Sequence, residues 1–323
     1  MRPAISAALV TVGLLSSSSA FPYGESDADG VPTADERRVH LLTNQVRAAP
    51  HQFPGWDTSK ASGEARPPVA FHDDLFTAAH FHAQDMATSG CFQHASCDGT
   101  PAQQRIQRFF DGGSFAENIA LGQRDAVEAI TDWMNSTTGH RENILTPTWN
   151  VLGTGTATGF HWVQNFGTIS VPLPRIVSAA DFPRGANLRL AALAFDAGGA
   201  VPVRFEAQLG EETYPLSPGV GAPGQRVWET TVPRPAACTA LVFELEDASG
   251  ATTRFPTTGT LLAGAGCSQA YRASPGAPTP DRPVIDADVP QQGCRTTSGS
   301  SVFLLFGWLL FIGPQTWRAR RRS

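Results

Sequence analysis

The spacing of apolar residues predicts helices in the first half of the chain. Val39, Leu42 and Val46 keep helical spacing, and Thr33 followed by Glu36 forms a capping-box pattern just before them. Similar spacing predicts helices over residues 75–90, 105–110 and 127–134, and extended runs cover 149–156 and 160–169. Helices on both faces of a small sheet are the simplest arrangement of these elements, so an α-β-α sandwich is predicted for residues 33–170.

After residue 170 the apolar pattern changes to a period of two. Phe205, Ala207 and Leu209 alternate with polar residues, and the stretch from Leu241 to Leu245 does the same. This pattern predicts an all-β sandwich of immunoglobulin or fibronectin type for residues 171–270. The chain is therefore predicted to be α+β overall. This part carries no chemical motif, which favours a spacer or adhesion module. The proline-containing residues 271–293 are predicted to form an extended stalk.

Both ends of the chain carry apolar blocks typical of export and anchoring. Residues 1–20 read as a signal peptide, with Arg2, a short apolar core and a small-residue ending, and residues 21–32 suit a linker. Near the other end, the apolar block Val302–Ile312 precedes several arginines, which predicts a short membrane-associated tail over 294–323 with the arginines on the cytoplasmic side. The body of the protein is therefore expected outside the cell, at the cell surface or outer envelope.

Composition and cysteine content narrow the function further. The chain has a net charge of −5 and only 16% charged residues, so it lacks the basic surface that nucleic-acid binding requires. Five cysteines in an exported chain favour disulfides. If each cysteine pairs within its own globular segment, Cys91 joins Cys97, Cys238 joins Cys267, and Cys294 in the tail stays unpaired. The alternative is that some of these cysteines are free buried thiols.

Five segments in order resemble the CAP superfamily, which includes cysteine-rich secretory, antigen 5 and pathogenesis-related proteins and SCP-like bacterial relatives. They are Asn44 with Arg47, residues 92–96, residues 116–120, residues 139–145 and residues 161–167. The resemblance covers residues 33–170 and implies the α-β-α CAP fold. The tail, with Cys294, a short apolar helix and terminal arginines, resembles the MYXO-CTERM sorting tail. That resemblance implies processing and attachment at Cys294; the alternative is a plain C-terminal anchor without cleavage.

The resemblance to CAP proteins implies a central cleft formed by two histidines and two acidic residues. The matching positions are His94, His140 and Glu117, and the second acid is missing, because Met134, Asn135 and Ser136 follow Trp133 where the acid is expected. Two imidazoles and one carboxylate could hold a zinc ion that activates water, although no cofactor is assigned with certainty. Alternatively, the three residues hydrogen-bond one another and hold the cleft.

Other residues near these segments invite different interpretations. A Cys91–Cys97 bridge would close a ring around His94 and preorganise the cleft. His72, His80 and His82 are interpreted as surface or packing residues. Ser96 lies near His94 but lacks a nucleophile elbow, which argues against a serine hydrolase.

Three functions are therefore considered, and no catalytic residue is assigned. The leading hypothesis is a non-enzymatic extracellular module that binds a lipid, polymer or protein ligand and contacts the membrane through its tail. The first alternative is a zinc-dependent hydrolase that acts on envelope or extracellular polymers. The second alternative is a structural adhesion protein.

Overall fold

A computed structural model describes residues 32–52, 64–170 and 172–274, which belong to one compact unit. The predicted signal peptide, most of the linker and of the stalk, the tail and Cys294 lie outside these residues. No helix within the described ranges is long and apolar enough to cross a membrane.

Among the described residues, the first part of the unit contains five helices and a four-stranded sheet. The helices are α1 (Ala34–Ala48), α2 (Asp73–Ser89), α3 (Ala102–Gln107), α4 (Ala126–Asn135) and α5 (His140–Leu145), with a 3-10 turn at Pro50–Gln52. The strands are β1 (Ala70–Phe71), β2 (Phe115–Leu121), β3 (Val151–Ala157) and β4 (His161–Gly167), in the order β1-β3-β4-β2. The capping box predicted for α1 is present, because Thr33 and Glu36 exchange side-chain and backbone hydrogen bonds.

Helices pack on both faces of this sheet, as predicted. On one face α2 lies directly on β3, where a side chain at Gly153 or Gly155 would meet the α2 backbone at 2.0–2.5 Å. On the other face, the side chains of Leu42, Ile130 and Phe166 meet in one apolar cluster that joins α1, α4 and the sheet. The predicted α-β-α sandwich is therefore confirmed.

The second part of the unit is formed of antiparallel strands, as predicted. Its strands are β5 (Ile176–Arg184), β6 (Asn187–Phe195), β7 (Arg204–Leu209), β8 (Glu212–Pro215), β9 (Ser217–Ala222), β10 (Gln225–Pro233), β11 (Thr239–Glu246), β12 (Thr252–Phe255), β13 (Thr260–Ala263) and β14 (Tyr271–Arg272). They form two sheets, β5-β6-β10-β9 and β14-β13-β11-β7-β8, with β12 paired to β11. The period-two residues Phe205, Ala207, Leu241 and Phe243 fill the core between the sheets. A disulfide joins Cys238 to Cys267 beside them, which confirms that predicted pair.

The sheet that begins with β5 and β6 packs directly against α1. Val177, Ala180, Phe182 and Leu193 share one apolar cluster with Leu41 and Leu42 of α1. Polar contacts reinforce this junction, because Asp181 accepts hydrogen bonds from both Arg37 and Arg38 at 3.4 and 3.2 Å. α1 is therefore buried between two sheets, including the polar side that its sequence alone would place in solvent.

Buried His40 on α1 predicts acid sensitivity of the fold. Its Nε2–H donates to the Val69 carbonyl at 2.8 Å, and burial lowers the pKa of His40 from 6.5 to about 4. Between these two values the unfolded chain binds a proton that the folded chain excludes, so the free energy of unfolding falls as the pH drops from 6.5 towards 4. The difference in pKa corresponds to about 3 kcal/mol.

Urea unfolding at pH 7 and at pH 4.5 measures this loss. His40→Gln, which keeps a neutral donor, should show a smaller pH dependence than the wild type. An unchanged pH dependence in His40→Gln would assign the acid sensitivity to other groups.

Candidate functional site

A groove of about 470 Å³ lies along the outer edge of β2. Its lining comes from the Cys91–Cys97 loop, from β2, from α4 and from the start of α5. The lining residues are Phe92, Gln93, His94, Ile119, Ala120, Leu121, Gln123, Asp132, Trp133 and His140. Both predicted histidines therefore face the same groove, and the predicted acid, Glu117, lies on the strand that forms its floor.

The Glu117 side chain is almost fully buried, and its carboxylate is saturated with donors. Its Oε1 lies 3.0 Å from His94 Nδ1, and Arg105 donates to its Oε2. In the amide orientation that satisfies both of its polar groups, Asn165 also donates to Oε2 at 3.1 Å. Because charge-assisted hydrogen bonds are the strong ones, Glu117 is arranged as an anchor for its neighbours.

Arg105 ties the histidine loop to β2. Its guanidinium is fully buried, and besides Glu117 it donates to the His94 carbonyl at 2.8 Å and to Ser96 Oγ at 3.3 Å. Arg105 is not among the residues predicted for the site, because a single arginine in a short helix is usually solvent-exposed. Nothing in its local pattern marks it.

The loop that carries His94 is fixed at several points. The predicted Cys91–Cys97 disulfide is present, and the Cys97 amide donates to Asp85 Oδ2 at 2.7 Å. His82 Nε2 lies 3.0 Å from the Gln93 carbonyl. With these contacts in place the His94 side chain remains half exposed, at 53%. The loop thus presents one imidazole to the groove from a restrained backbone.

Two of the three histidines interpreted as surface or packing residues also contact buried carboxylates. His82 is fully buried on α2, and its Nε2 lies 4.0 Å from Glu117 Oε1. Burial is the main cause that lowers the pKa of His82, so its ring is neutral when it supports the loop. His80 Nδ1 lies 3.0 Å from Oε1 of Glu36, a residue in the first turn of α1. The packing role is thus borne out for His82, with an added contact beneath the site.

His140 begins α5 at the other side of the groove. The preceding Gly139 has a φ of 104°, a left-handed conformation that favours glycine. The His140 carbonyl accepts from Asn118 Nδ2 at 3.1 Å, and Asn143 donates to both Asn118 and the Glu117 carbonyl. Burial, and then the charge of His94, lowers the pKa of His140. A neutral imidazole at this position offers one donor and one acceptor to a ligand.

These residues do not fit a three-ligand metal site. Within the described residues, no three His, Cys, Asp or Glu side chains form a group that could hold a metal ion. His94 Nδ1 and both Glu117 oxygens are already engaged with protein groups. Zinc binding by His94, His140 and Glu117 therefore remains a prediction that this arrangement does not support.

One acidic residue that the sequence analysis missed lies at the groove. Asp132 precedes Trp133 on α4, is exposed, and accepts from Gln123 Nε2 at 2.9 Å. It is displaced from the position where the resemblance places a second acid. The sequence does not show how α4 packs against β2, and this packing is what places Asp132 on the groove wall.

A second and larger hollow of about 740 Å³ lies elsewhere, between the first turn of α1 and residues 262–273. None of the predicted site residues lines it except Cys267. Its lining residues adjoin, along the chain, residues before 32 and after 274 that lie outside the described residues, so no site is assigned to it.

Comparison with known proteins finds relatives of the first part of the chain. Residues 41–166 match the model of the cysteine-rich secretory protein family, CAP, so this part of the chain is a CAP domain. The chain is 31% identical over 136 residues to the protein YkwD of Bacillus subtilis (strain 168), a match that covers 42% of this chain and 47% of that protein. The chain thus spans about half the length of this curated relative.

Solved structures with similarity to part of the chain come from other bacteria. One is an extracellular protein containing an SCP domain from Bacillus anthracis str. Ames, with 28% identity, a TM-score of 0.36 and coverage of 42% of this chain and 40% of that one. Another is an outer surface protein from Borrelia burgdorferi, with 18% identity, a TM-score of 0.32 and coverage of 42% and 97%.

Proposed function

We propose that this protein is an extracellular binding module that holds a ligand in the groove between His94 and His140 without changing it chemically. The observation that carries this proposal is the state of Glu117. Its carboxylate is buried, and both oxygens already contact protein groups, Oε1 through His94 and Oε2 through Arg105 and Asn165. Binding a metal ion or a substrate proton would therefore disturb contacts that hold the site together. The groove is instead preorganised for binding, because the disulfide and hydrogen bonds of the protein already fix the loop that carries His94.

The proposed location outside the cell rests on the chain itself. The first twenty residues have the pattern of a signal peptide, and two disulfides are typical of an oxidising compartment. We further propose that the tail from Cys294 onward holds the protein at the cell surface through the membrane, with the β-sandwich and stalk between the tail and the CAP domain.

Binding of defined probes by the purified full chain tests this function. Three probe sets cover the candidate ligand classes: a random-sequence decapeptide pool, vesicles of phosphatidylglycerol and phosphatidylethanolamine, and soluble peptidoglycan fragments. We expect at least one set to bind. The double variant His94→Ala, His140→Ala should weaken that binding at least tenfold, which corresponds to about 1.4 kcal/mol.

The matched control is His51→Ala, an exposed histidine in the Pro50–Gln52 turn, outside the groove. It should bind as the wild type does, and mass spectrometry should recover the bound probe unaltered. Cleavage of the probe would replace the binding role with hydrolysis. Vesicle binding that the wild type and the double variant share is attributed to the tail. Equal binding of the peptides and peptidoglycan fragments by the two proteins, or no binding of any probe through the groove, would favour the structural adhesion role.

A further inference from the structure

We infer that the groove binds an extended peptide, which adds a strand to the free edge of β2 and places a basic side chain beside Asp132. This inference rests on the proposed function, since it names the ligand class of the same groove.

β2 lies at the edge of its sheet, and its pairing with β4 shows which of its backbone groups point outward. Among the described strands, β2 is the last of its sheet and pairs only with β4. Two hydrogen bonds at the ends of the pair fix this pattern: the Gly122 amide donates to the Phe160 carbonyl, and the Thr168 amide donates to the Ser114 carbonyl. In an antiparallel pair every second residue bonds to the partner strand, so the even-numbered residues of β2 bond to β4. The backbone groups of residues 115, 117, 119 and 121 therefore point away from the sheet.

The fold satisfies only part of this edge. Asn143 donates to the Glu117 carbonyl at 3.2 Å, and Trp133 Nε1 donates to the Ile119 carbonyl at 3.0 Å. Among the described residues, no group accepts from the amides of Ile119 or Leu121, and none donates to the Leu121 carbonyl. The unsatisfied stretch is the one that lines the groove. It offers two donors and one acceptor at strand spacing, which is how sheet edges capture extended peptides.

Apolar side chains stand beside this open stretch. Phe92 and Leu121 line the groove and are 47% and 42% exposed, and Phe160, next to Gly122 across the β2–β4 pair, is 50% exposed. Ile119 packs with Ala83 and Met86 of α2, so the Leu121 side chain, two residues on, lies on the same face of the sheet. Alternate side chains of an added strand would meet this apolar rim, and a volume of about 470 Å³ suits a short segment.

Charge and hydrogen bonding favour a peptide with a basic residue over an acyl chain. Asp132 contributes an exposed carboxylate to the opposite wall, and its contact with Gln123 uses only one of its oxygens. A lysine or arginine side chain of the peptide could pair with it. A lipid tail in the same place would leave the Ile119 and Leu121 amides without partners, which costs binding free energy.

Leu121→Pro tests the strand addition against Leu121→Ala. Proline removes the outward amide without breaking a bond to β4, and such positions on edge strands tolerate it. The probe is an acetylated and amidated hexapeptide of alternating lysine and valine. We expect Leu121→Pro to bind it about fivefold more weakly than Leu121→Ala, which corresponds to the loss of one hydrogen bond. Asp132→Asn should weaken binding of this peptide but not of its glutamine–valine counterpart.

Amide hydrogen exchange of the wild type gives a readout that does not depend on any variant. Bound peptide should slow exchange at Ile119 and Leu121. Unchanged exchange there, or equal binding by Leu121→Pro and Leu121→Ala, would overturn the inference.

The failures of the two proposals can be told apart. If vesicles or peptidoglycan fragments bind through His94 and His140 while the peptides do not, the peptide class is wrong and the binding function stands. If none of the probes binds, both proposals fall.

Discussion

A chain that ends at residue 170 is expected to lose the cooperative fold of its CAP domain. The second part supplies Val177, Ala180, Phe182 and Leu193 to the cluster around α1. Each large apolar side chain that returns to water costs about 1.5–3 kcal/mol, and a domain has only about 5–15 kcal/mol of net stability. Removing Asp181 would in addition leave the buried Arg37 without its carboxylate partner.

Thermal unfolding of residues 21–170 measures this loss. The matched control is a chain that ends at residue 280, which retains all described strands and should melt as the full chain does. A sharp transition of residues 21–170 at the melting temperature of the full chain would mean that the two parts are independent domains.

Replacing Arg105 by methionine is expected to destabilise the protein by about 3–5 kcal/mol, because it leaves a buried carboxylate without its charge partner. Arg105 and Glu117 are both buried, and Arg105 also holds the His94 and Ser96 segment. Arg108→Met, at the exposed end of the same helix, is the matched control and should change stability by less than about 0.5 kcal/mol.

Urea unfolding of the two variants makes this comparison. Adding Glu117→Gln to Arg105→Met should restore part of the stability, because the unpaired charge is removed. If Arg105→Met were no less stable than Arg108→Met, the Arg105–Glu117 pair would not be what organises the groove.

The sequence predicted the framework of the fold because local patterns specify it. The capping box at Thr33 and Glu36 fixes the start of α1, and alternation in residues 203–209 and 241–245 predicts the strands of the sandwich. The two disulfides also followed from where the cysteines lie along the chain. Each of these signals is contained in a short stretch or in one segment of the chain.

Contacts between distant segments were not predictable in the same way. α1 carries polar residues such as Arg37 and Asn44 on the side that β5 covers, and distant partners, among them Asp181 and Ser178, satisfy them there. Arg105 and His82 contact Glu117 because α3 and α2 place them beside it, and Asp132 lines the groove because α4 places it there. The resemblance identified His94, Glu117 and His140, but it could not indicate that Arg105 saturates the carboxylate.

Calorimetric titration tests the binding role of the groove most directly. The full chain is titrated with whichever of the three probe sets it binds. The titration is run once in a chelator and once with added zinc, for the wild type and for His94→Ala, His140→Ala. A groove held by its own hydrogen bonds predicts one affinity in both conditions and at least tenfold weaker binding by the double variant. Binding that appears only with zinc would contradict this account and place a metal at His94 and His140.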